Sequence, residues 1–159
     1  MRVTIGSDHA GFELKAILIA HLRVAGHQLA DVGTTSAEPV DYPDFAEKVA
    51  SGVIHGGSER GILICGSGVG ASVAANKIPG IRAGLCHDGY SAHQGVEHDN
   101  INVLVLGSRV IGPELAKDLC IIFLNARYTA EERHQRRLAK VLKIEQRYAL
   151  ATASKEKQS

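Results

Sequence analysis

The sequence predicts an α/β protein whose parallel sheet is covered by helices on both faces. Short apolar segments rich in β-branched residues alternate along the chain with segments whose apolar residues recur at helical spacing. This alternation is typical of strand–helix–strand units, in which each strand is buried on both sides. Of the 159 residues, 45% are hydrophobic, which is enough for the core of one domain. We therefore expect one domain over residues 1–150 and a frayed tail over residues 151–159.

Five strands and six helices are predicted in alternation. Strands are expected at residues 2–6, 27–32, 61–65, 81–86 and 102–106. Helices are expected at residues 12–25, 45–54, 71–77, 90–97, 113–125 and 131–149, with a loop at residues 34–43. Gly26 ends the first helix, and Pro113 stands in the first turn of the fifth helix. Thr129 and Glu132 have the spacing of a capping box at the start of the last helix.

Composition argues against several classes of partner. The net charge is +1 with no basic tract before the last helix, so nucleic acid and membrane surfaces are poor candidates. No apolar run suits a signal peptide or a bilayer span. Three cysteines without close spacing predict reduced thiols in the cytoplasm, not disulfides or a zinc site.

The segment at residues 61–77, GILICGSGVGASVAANK, is the first candidate for chemistry. Cys65 ends a predicted buried strand, and glycines follow at every second position: Gly66, Gly68 and Gly70. A glycine-rich turn lets backbone amides converge on an anion or an oxyanion. The segment contains no Asp, Glu or His, so Cys65 is its only candidate for proton transfer.

Three other interpretations of this segment stay open. Buried cysteines commonly serve as small core residues, and the glycines are compatible with an ordinary turn. Gly66, Gly68 and Ala71 also fit a loose dinucleotide fingerprint, with Asp88 about 20 residues further on. Against a nicotinamide enzyme, Pro79 leaves a short helix and little sequence remains for a substrate domain.

Polar residues also follow the other strands, at the edge where such folds place their chemistry. They are Ser7-Asp8-His9, His87-Asp88 and Gly107-Ser108-Arg109. In the last helix, Arg133 and Arg137 are one turn apart and share a face, with His134 beside them. A solvated basic face would explain them, but the helix dipole disfavours cations in the first turns. The placement therefore indicates a bound anion, and guanidinium groups fit phosphate.

Five motifs in order resemble the ribose-5-phosphate isomerase B family, which includes relatives acting on allose and galactose 6-phosphates. The motifs are GSDHAGFELK, DYPDFA, ICGSGVGASVAANK, EHDNINVLVLGSRVIG and ERHQRR, and the resemblance runs from Arg2 to about Tyr148. It implies a three-layer Rossmann-like sandwich and a cytoplasmic homodimer or tetramer with no metal or organic cofactor. It also implies a C-terminal helix that reaches the partner subunit.

The resemblance further implies a site for a sugar phosphate. Cys65 is expected to move a proton between C2 and C1 of the substrate. The amides of Gly66, Ser67, Gly68, Val69 and Gly70, with the Ser67 hydroxyl, are expected to hold the enediolate oxygen. Asp8 and His98 are expected to help open the sugar ring, and Tyr42 to line the pocket. The expected phosphate and sugar clamp comprises His9, Arg109, Arg133, His134 and Arg137, the last three from the neighbouring subunit.

Two positions depart from the family pattern. One branch of the family uses a glutamate base where this chain has Ala71, which points to Cys65. Many relatives have asparagine where this chain has Asp99, and a carboxylate there would oppose a developing enediolate. We therefore expect its backbone amide, not its side chain, to contribute. A six-carbon aldose phosphate as substrate and a non-catalytic phosphosugar-binding subunit remain alternatives, although the retained Cys65 argues against the second.

Overall fold

The computed structural model describes the backbone of residues 1–156 and the side chains of residues 1–149. Five parallel strands form one sheet in the order β2-β1-β3-β5-β4. The strands are β1 Arg2–Ser7, β2 Gln28–Asp31, β3 Arg60–Cys65, β4 Ala83–Leu85 and β5 Val103–Gly107. The helices are α1 Phe12–Val24, α2 Tyr42–Ile54, α3 Val69–Ala75, α4 Gly89–Asp99, α5 Pro113–Asn125 and α6 Glu132–Glu156. The predicted α/β sandwich with a five-stranded parallel sheet is confirmed.

Helices cover both faces of the sheet, because side chains of the central strands alternate between two cores. Ile62 and Ile64 point to a core shared with α1, α4 and α5, whereas Leu63 and Cys65 point to one shared with α2 and α3. The chain leaves β1 toward α1 on one face and leaves the neighbouring β3 toward α3 on the other. The two loops therefore diverge and open a crevice at the carboxyl edge of the sheet.

Several element boundaries differ from the prediction. Helix α2 begins at Tyr42, because Pro43 lies in its first turn, where a missing N–H costs nothing. Helix α3 begins at Val69, two residues before its predicted start, and β4 is shorter than the segment expected at residues 81–86. Helix α6 runs to Glu156, through part of the predicted tail, and residues 157–159 lie outside the described part of the chain.

The segment before α6 does not form the predicted capping box. Thr129 lies three residues before the start of α6, and its hydroxyl donates to the Glu97 carbonyl of α4 at 3.1 Å. The backbone N–H of Thr129 donates to the same carbonyl. Thr129 therefore ties α6 to α4, which could not be predicted from local spacing. Among the described residues, no helix is both long and apolar enough to cross a membrane.

Candidate active site

Cys65 ends β3 beneath a tight loop of glycine and serine residues. Its side chain is only 5% exposed and packs in the core under α2 and α3. The amide N–H of Gly68 nevertheless donates a hydrogen bond to Cys65 Sγ at 3.1 Å. Gly68 has a φ of +82°, which glycine adopts without strain. A backbone donor aimed at the sulfur distinguishes Cys65 from a cysteine that only fills space.

The other two cysteines lack the features of a reactive thiol. Burial, with a contribution from Asp88, raises the pKa of Cys86 to about 11. Burial raises the pKa of Cys120 to about 12. Both thiols are therefore protonated at neutral pH, and the thiolate is the nucleophilic and basic form.

The loop after Cys65 rests on the segment that follows β5. The N–H of Ser108 donates to the Cys65 carbonyl and the N–H of Arg109 donates to the Gly66 carbonyl, each at 2.9 Å. The Ser108 hydroxyl donates to the Ala10 carbonyl at 2.7 Å. The Arg109 side chain lies over Gly66, since a Cβ added at Gly66 would be 3.7 Å from Arg109 Cζ. A cation is thus placed beside the loop amides.

Asp8, His9 and Tyr42 lie around the same edge. Asp8 is buried, its N–H donates to the Ile64 carbonyl at 3.3 Å, and its Oδ1 accepts from the Gly11 N–H at 3.1 Å. His9 Nδ1 lies 3.2 Å from the Val40 backbone nitrogen, which fixes the ring. The Tyr42 ring packs against Gly70, where an added Cβ would lie 2.8 Å from Tyr42 Cζ. A larger residue at position 70 would therefore displace Tyr42.

The remaining predicted site residues lie at the opposite edge of the sheet. Helix α4 runs back from the carboxyl edge and ends at Asp99, just before β5 begins. The Asn102 carbonyl accepts from the N–H of Gly61, near the start of β3, four residues before Cys65. At about 3.3 Å per residue, the two edges are roughly 13 Å apart. The single chain therefore does not bring this second group to Cys65. Its members are His98, Asp99, Arg133, His134 and Arg137.

Two histidines join α4 to α6 within this second group. The rings of His98 and His134 stack with centroids 4.1 Å apart. His134 is 1% exposed, and its Nδ1 lies 3.0 Å from Thr129 Oγ1. The Thr129 hydroxyl gives its proton to Glu97, so Nδ1 of a neutral His134 is the donor to Oγ1. Burial, and then the nearby His98 and Arg133, lowers the pKa of His134.

Arg137 and Asp99 line a cavity of about 500 Å³ between α6 and the edge of the sheet at β4. Apolar side chains, among them Ile81, Ile101 and Leu138, also line the cavity. Arg133 is exposed and pairs with Glu131, with Arg133 Nε 2.9 Å from Glu131 Oε2. The basic face of α6 is therefore available at the surface of the chain.

The structure argues against the dinucleotide-binding interpretation, because the acidic residue that it needs, Asp88, is engaged elsewhere. Asp88 caps α4, since its Oδ1 accepts from the Ser91 N–H at 2.8 Å. This hydrogen bond lowers the pKa of Asp88. The carboxylate that the fingerprint would assign to a ribose hydroxyl is thus engaged in a helix cap.

Sequence reasoning assigned no role to Ser108 and His87. Both stand in the polar runs after strands that the sequence singled out, but their hydrogen bonds depend on strand order. Ser108 contacts Ala10 and Cys65 only because β5 lies beside β3. His87 accepts from the N–H of Gly107 at 2.9 Å because β4 lies beside β5.

Comparisons with known proteins agree with one another. The family model described as Ribose/Galactose Isomerase matches residues 3–141. Ribose-5-phosphate isomerase B of Escherichia coli (strain K12) is 48% identical over 146 residues, which cover 92% of this chain and 97% of that protein. Ribose-5-phosphate isomerase B of Clostridium thermocellum superposes with a TM-score of 0.91 at 46% identity, covering 93% of this chain and 99% of the other.

A ligand-bound relative gives a similar match. The structure of ribose-5-phosphate isomerase B from Mycoplasma genitalium, with bound ribulose-5-phosphate, has a TM-score of 0.86 and 39% identity. The match covers 91% of this chain and 96% of the other.

Proposed function

The chain belongs to the ribose/galactose isomerase family, and we propose that it interconverts ribose 5-phosphate and ribulose 5-phosphate as an aldose–ketose isomerase. The observation that carries the proposal is the donor set around Cys65. A thiol at the end of a buried strand accepts from Gly68, next to further loop amides and the Arg109 side chain. Isomerisation through an enediolate needs one base near C1 and C2 and donors for the oxyanion.

In the proposed reaction, Cys65 acts as the base. The thiolate takes the proton from C2 of the open-chain aldose, and the electron pair of that C–H bond forms the C1–C2 double bond of an enediolate. The loop amides and the Ser67 hydroxyl hold the oxygen that gains negative charge. The proton of the C2 hydroxyl passes to the C1 oxygen, the Cys65 thiol returns its own proton to C1, and the C2 oxygen becomes the ketone. Atoms and electrons balance within the substrate and this one side chain, so no redox partner takes part.

Ring opening and binding are assigned to the remaining residues. Asp8 and His98 assist ring opening, Tyr42 lines the sugar pocket, and His9 and Arg109 contact the substrate from the chain that supplies Cys65. Arg133 and Arg137 hold the phosphate, whose binding energy positions C1 and C2. His134 was predicted to join them, but it is buried, so its part is to stack on His98 and not to contact the phosphate. Asp99 lies in the same cavity as Arg137. A part for the Asp99 backbone amide in the oxyanion hole stays a prediction.

We propose that a second copy of the chain completes each site. One substrate can contact Cys65 and Arg137 together only if they come from different chains, since they lie at opposite edges of one sheet. Exposed apolar side chains on α3 and α6 offer surfaces for such an assembly: Val69, Val73, Val141 and Ile144. A symmetric dimer would form two sites at once, and a tetramer would pair such dimers. Three buried free thiols support a reducing compartment such as the cytoplasm.

The proposal is tested by assaying the pure protein, without cofactor, on ribose 5-phosphate and allose 6-phosphate. We expect turnover of both or of the first alone, with the higher kcat/KM on ribose 5-phosphate. A higher kcat/KM on allose 6-phosphate would identify a six-carbon isomerase. If the protein turns over neither substrate, the isomerase assignment is contradicted and a non-catalytic phosphosugar-binding subunit is favoured. A requirement for added NAD would favour a nicotinamide enzyme.

A further inference from the structure

His87 extends the hydrogen-bond ladder between β4 and β5 with its side chain. The last backbone bond between these strands runs from the Cys86 N–H to the Val105 carbonyl at 3.3 Å. At the next position, the half-buried His87 ring accepts from the N–H of Gly107 through Nε2 at 2.9 Å. Because an amide is the donor, Nε2 is unprotonated and the neutral ring carries its proton on Nδ1.

Gly107 lies directly beneath the loop that follows Cys65. A Cβ added at Gly107 would lie 2.7 Å from the carbonyl carbon of Ser67, so the Ser67 backbone rests on Gly107 with no room between them. A Cβ added at Gly68 would lie 3.3 Å from the Gly107 nitrogen, the atom that donates to His87. The His87 acceptor thus holds the peptide against which both Ser67 and Gly68 are packed.

The residues that follow Gly107 continue this support. Ser108 and Arg109 donate their backbone N–H groups to the carbonyls of Cys65 and Gly66. A shift of the Gly107 peptide would therefore move two hydrogen bonds to the loop, as well as the Arg109 side chain. Buried contacts of this kind transmit small displacements, because the packed backbone has no free volume to absorb them.

We infer that His87 is a positioning residue that fixes the loop holding the Cys65 sulfur and the oxyanion donors. It acts through Gly107 and does not touch the substrate. Its part in catalysis rests on the proposed isomerase function, whereas its hold on the loop does not. Loss of the acceptor costs about one ordinary hydrogen bond, which corresponds to roughly a fivefold rise in the population of open loop conformations.

The test compares two replacements of similar length. His87→Gln keeps an oxygen acceptor near the position of Nε2, whereas His87→Met has no strong acceptor, and His87→Ala is a second variant without one. The first measurement, made without substrate, is the rate of Cys65 alkylation by iodoacetamide, followed by mass spectrometry of the Cys65 peptide. We expect about a fivefold faster rate for Met and Ala and a rate near wild type for Gln.

The second measurement is steady-state isomerisation of ribose 5-phosphate. We expect kcat of the Met and Ala variants to fall roughly 5- to 100-fold, with KM changed less than about threefold, because the phosphate grip is intact. The Gln variant should recover most of kcat. His55→Ala is the matched control, because this exposed histidine contacts only Ser51 of its own helix among the described hydrogen bonds.

The outcomes separate the two proposals. Alkylation rates within twofold of wild type in both the Met and Ala variants, about the noise of such comparisons, would overturn the positioning role whatever the activity. The same holds if melting temperature falls while alkylation and kcat stay unchanged, since His87 would then only stabilise the sheet. A wild-type protein that fails to isomerise ribose 5-phosphate, with alkylation altered as expected, would overturn the proposed function alone.

Discussion

Cys65 serves both the core and the site, and its sulfur takes part in both. Its Cβ and sulfur fill space under α2 and α3, while the sulfur also accepts from the Gly68 N–H. The sequence could indicate the candidate, because the segment around Cys65 contains no Asp, Glu or His that could serve as the base instead. It could not distinguish a packed cysteine from a reactive one, since that depends on where the Gly68 N–H points.

Replacing Cys65 tests the assignment of the base. We expect Cys65→Ala and Cys65→Ser to lose isomerisation by on the order of 10²–10⁴-fold, because serine has the shape of the base but forms an alkoxide far less readily. Substrate should still bind through the arginines. The measurement is solvent deuterium exchange into C2 of the substrate. Cys120→Ala is the control, since this buried thiol lies away from the site. The isomerase activity of this variant should stay close to that of the wild type.

Exchange at the wild-type rate in Cys65→Ala would show that another group takes the proton. Iodoacetamide should inactivate the wild type, with ribose 5-phosphate protecting it. Inactivation that substrate does not slow would place the modified thiol outside the site.

Replacing Arg133 or Arg137 tests whether these side chains bind the substrate phosphate. Replacing either with Ala should cost about 1.5–3 kcal/mol of substrate binding per lost charged hydrogen bond. Activity on ribose 5-phosphate should fall, while any trace activity on free ribose changes little. Arg136→Ala is the matched control, since Arg136 is an exposed arginine on the same helix and was not assigned to the site. An equal loss on both sugars would mean that the two arginines have a structural role.

At the scale of elements, the junction of α4 and α6 is built around two stacked histidine rings. Stacked His98 and His134 and the Thr129 hydroxyl hold the two helices together. The sequence predicted both helices but not this contact, because it joins residues more than 30 positions apart. Likewise, the start of α2 at Tyr42 depends on Pro43 being accepted in the first turn, which local rules leave open.

The junction predicts a pH dependence of stability. The pKa of His134 is lower in the folded state than in the unfolded chain, where it is about 6.5, so the unfolded chain binds more protons as the pH falls below that value. Stability should therefore decrease on going from pH 7.5 to pH 5.5. We expect a smaller decrease in His134→Asn, which keeps a donor for Thr129 but does not titrate. Urea unfolding at both pH values measures this, and an equal decrease in the variant would contradict it.

At the scale of the whole molecule, strand order decides which predicted residues meet. The sequence could assign Asp8, Cys65 and Arg109 to the same edge, because all three follow strands of a parallel sheet. It could not place the strands side by side, and so could not show that β1, β3 and β5 are neighbours. The resemblance supplied Arg133, His134 and Arg137 as residues of a partner, and their position at the far edge supports that prediction.

The most direct test of the shared site mixes two impaired variants, Cys65→Ala and Arg137→Ala, under conditions where subunits exchange. In a hybrid dimer, one site combines both substitutions and the other has neither. Random exchange of equal amounts makes half of the dimers hybrid, so we predict recovery of about a quarter of wild-type activity. No recovery, despite hybrids demonstrated by mass spectrometry, would place Cys65 and Arg137 in the site of one chain and contradict the account.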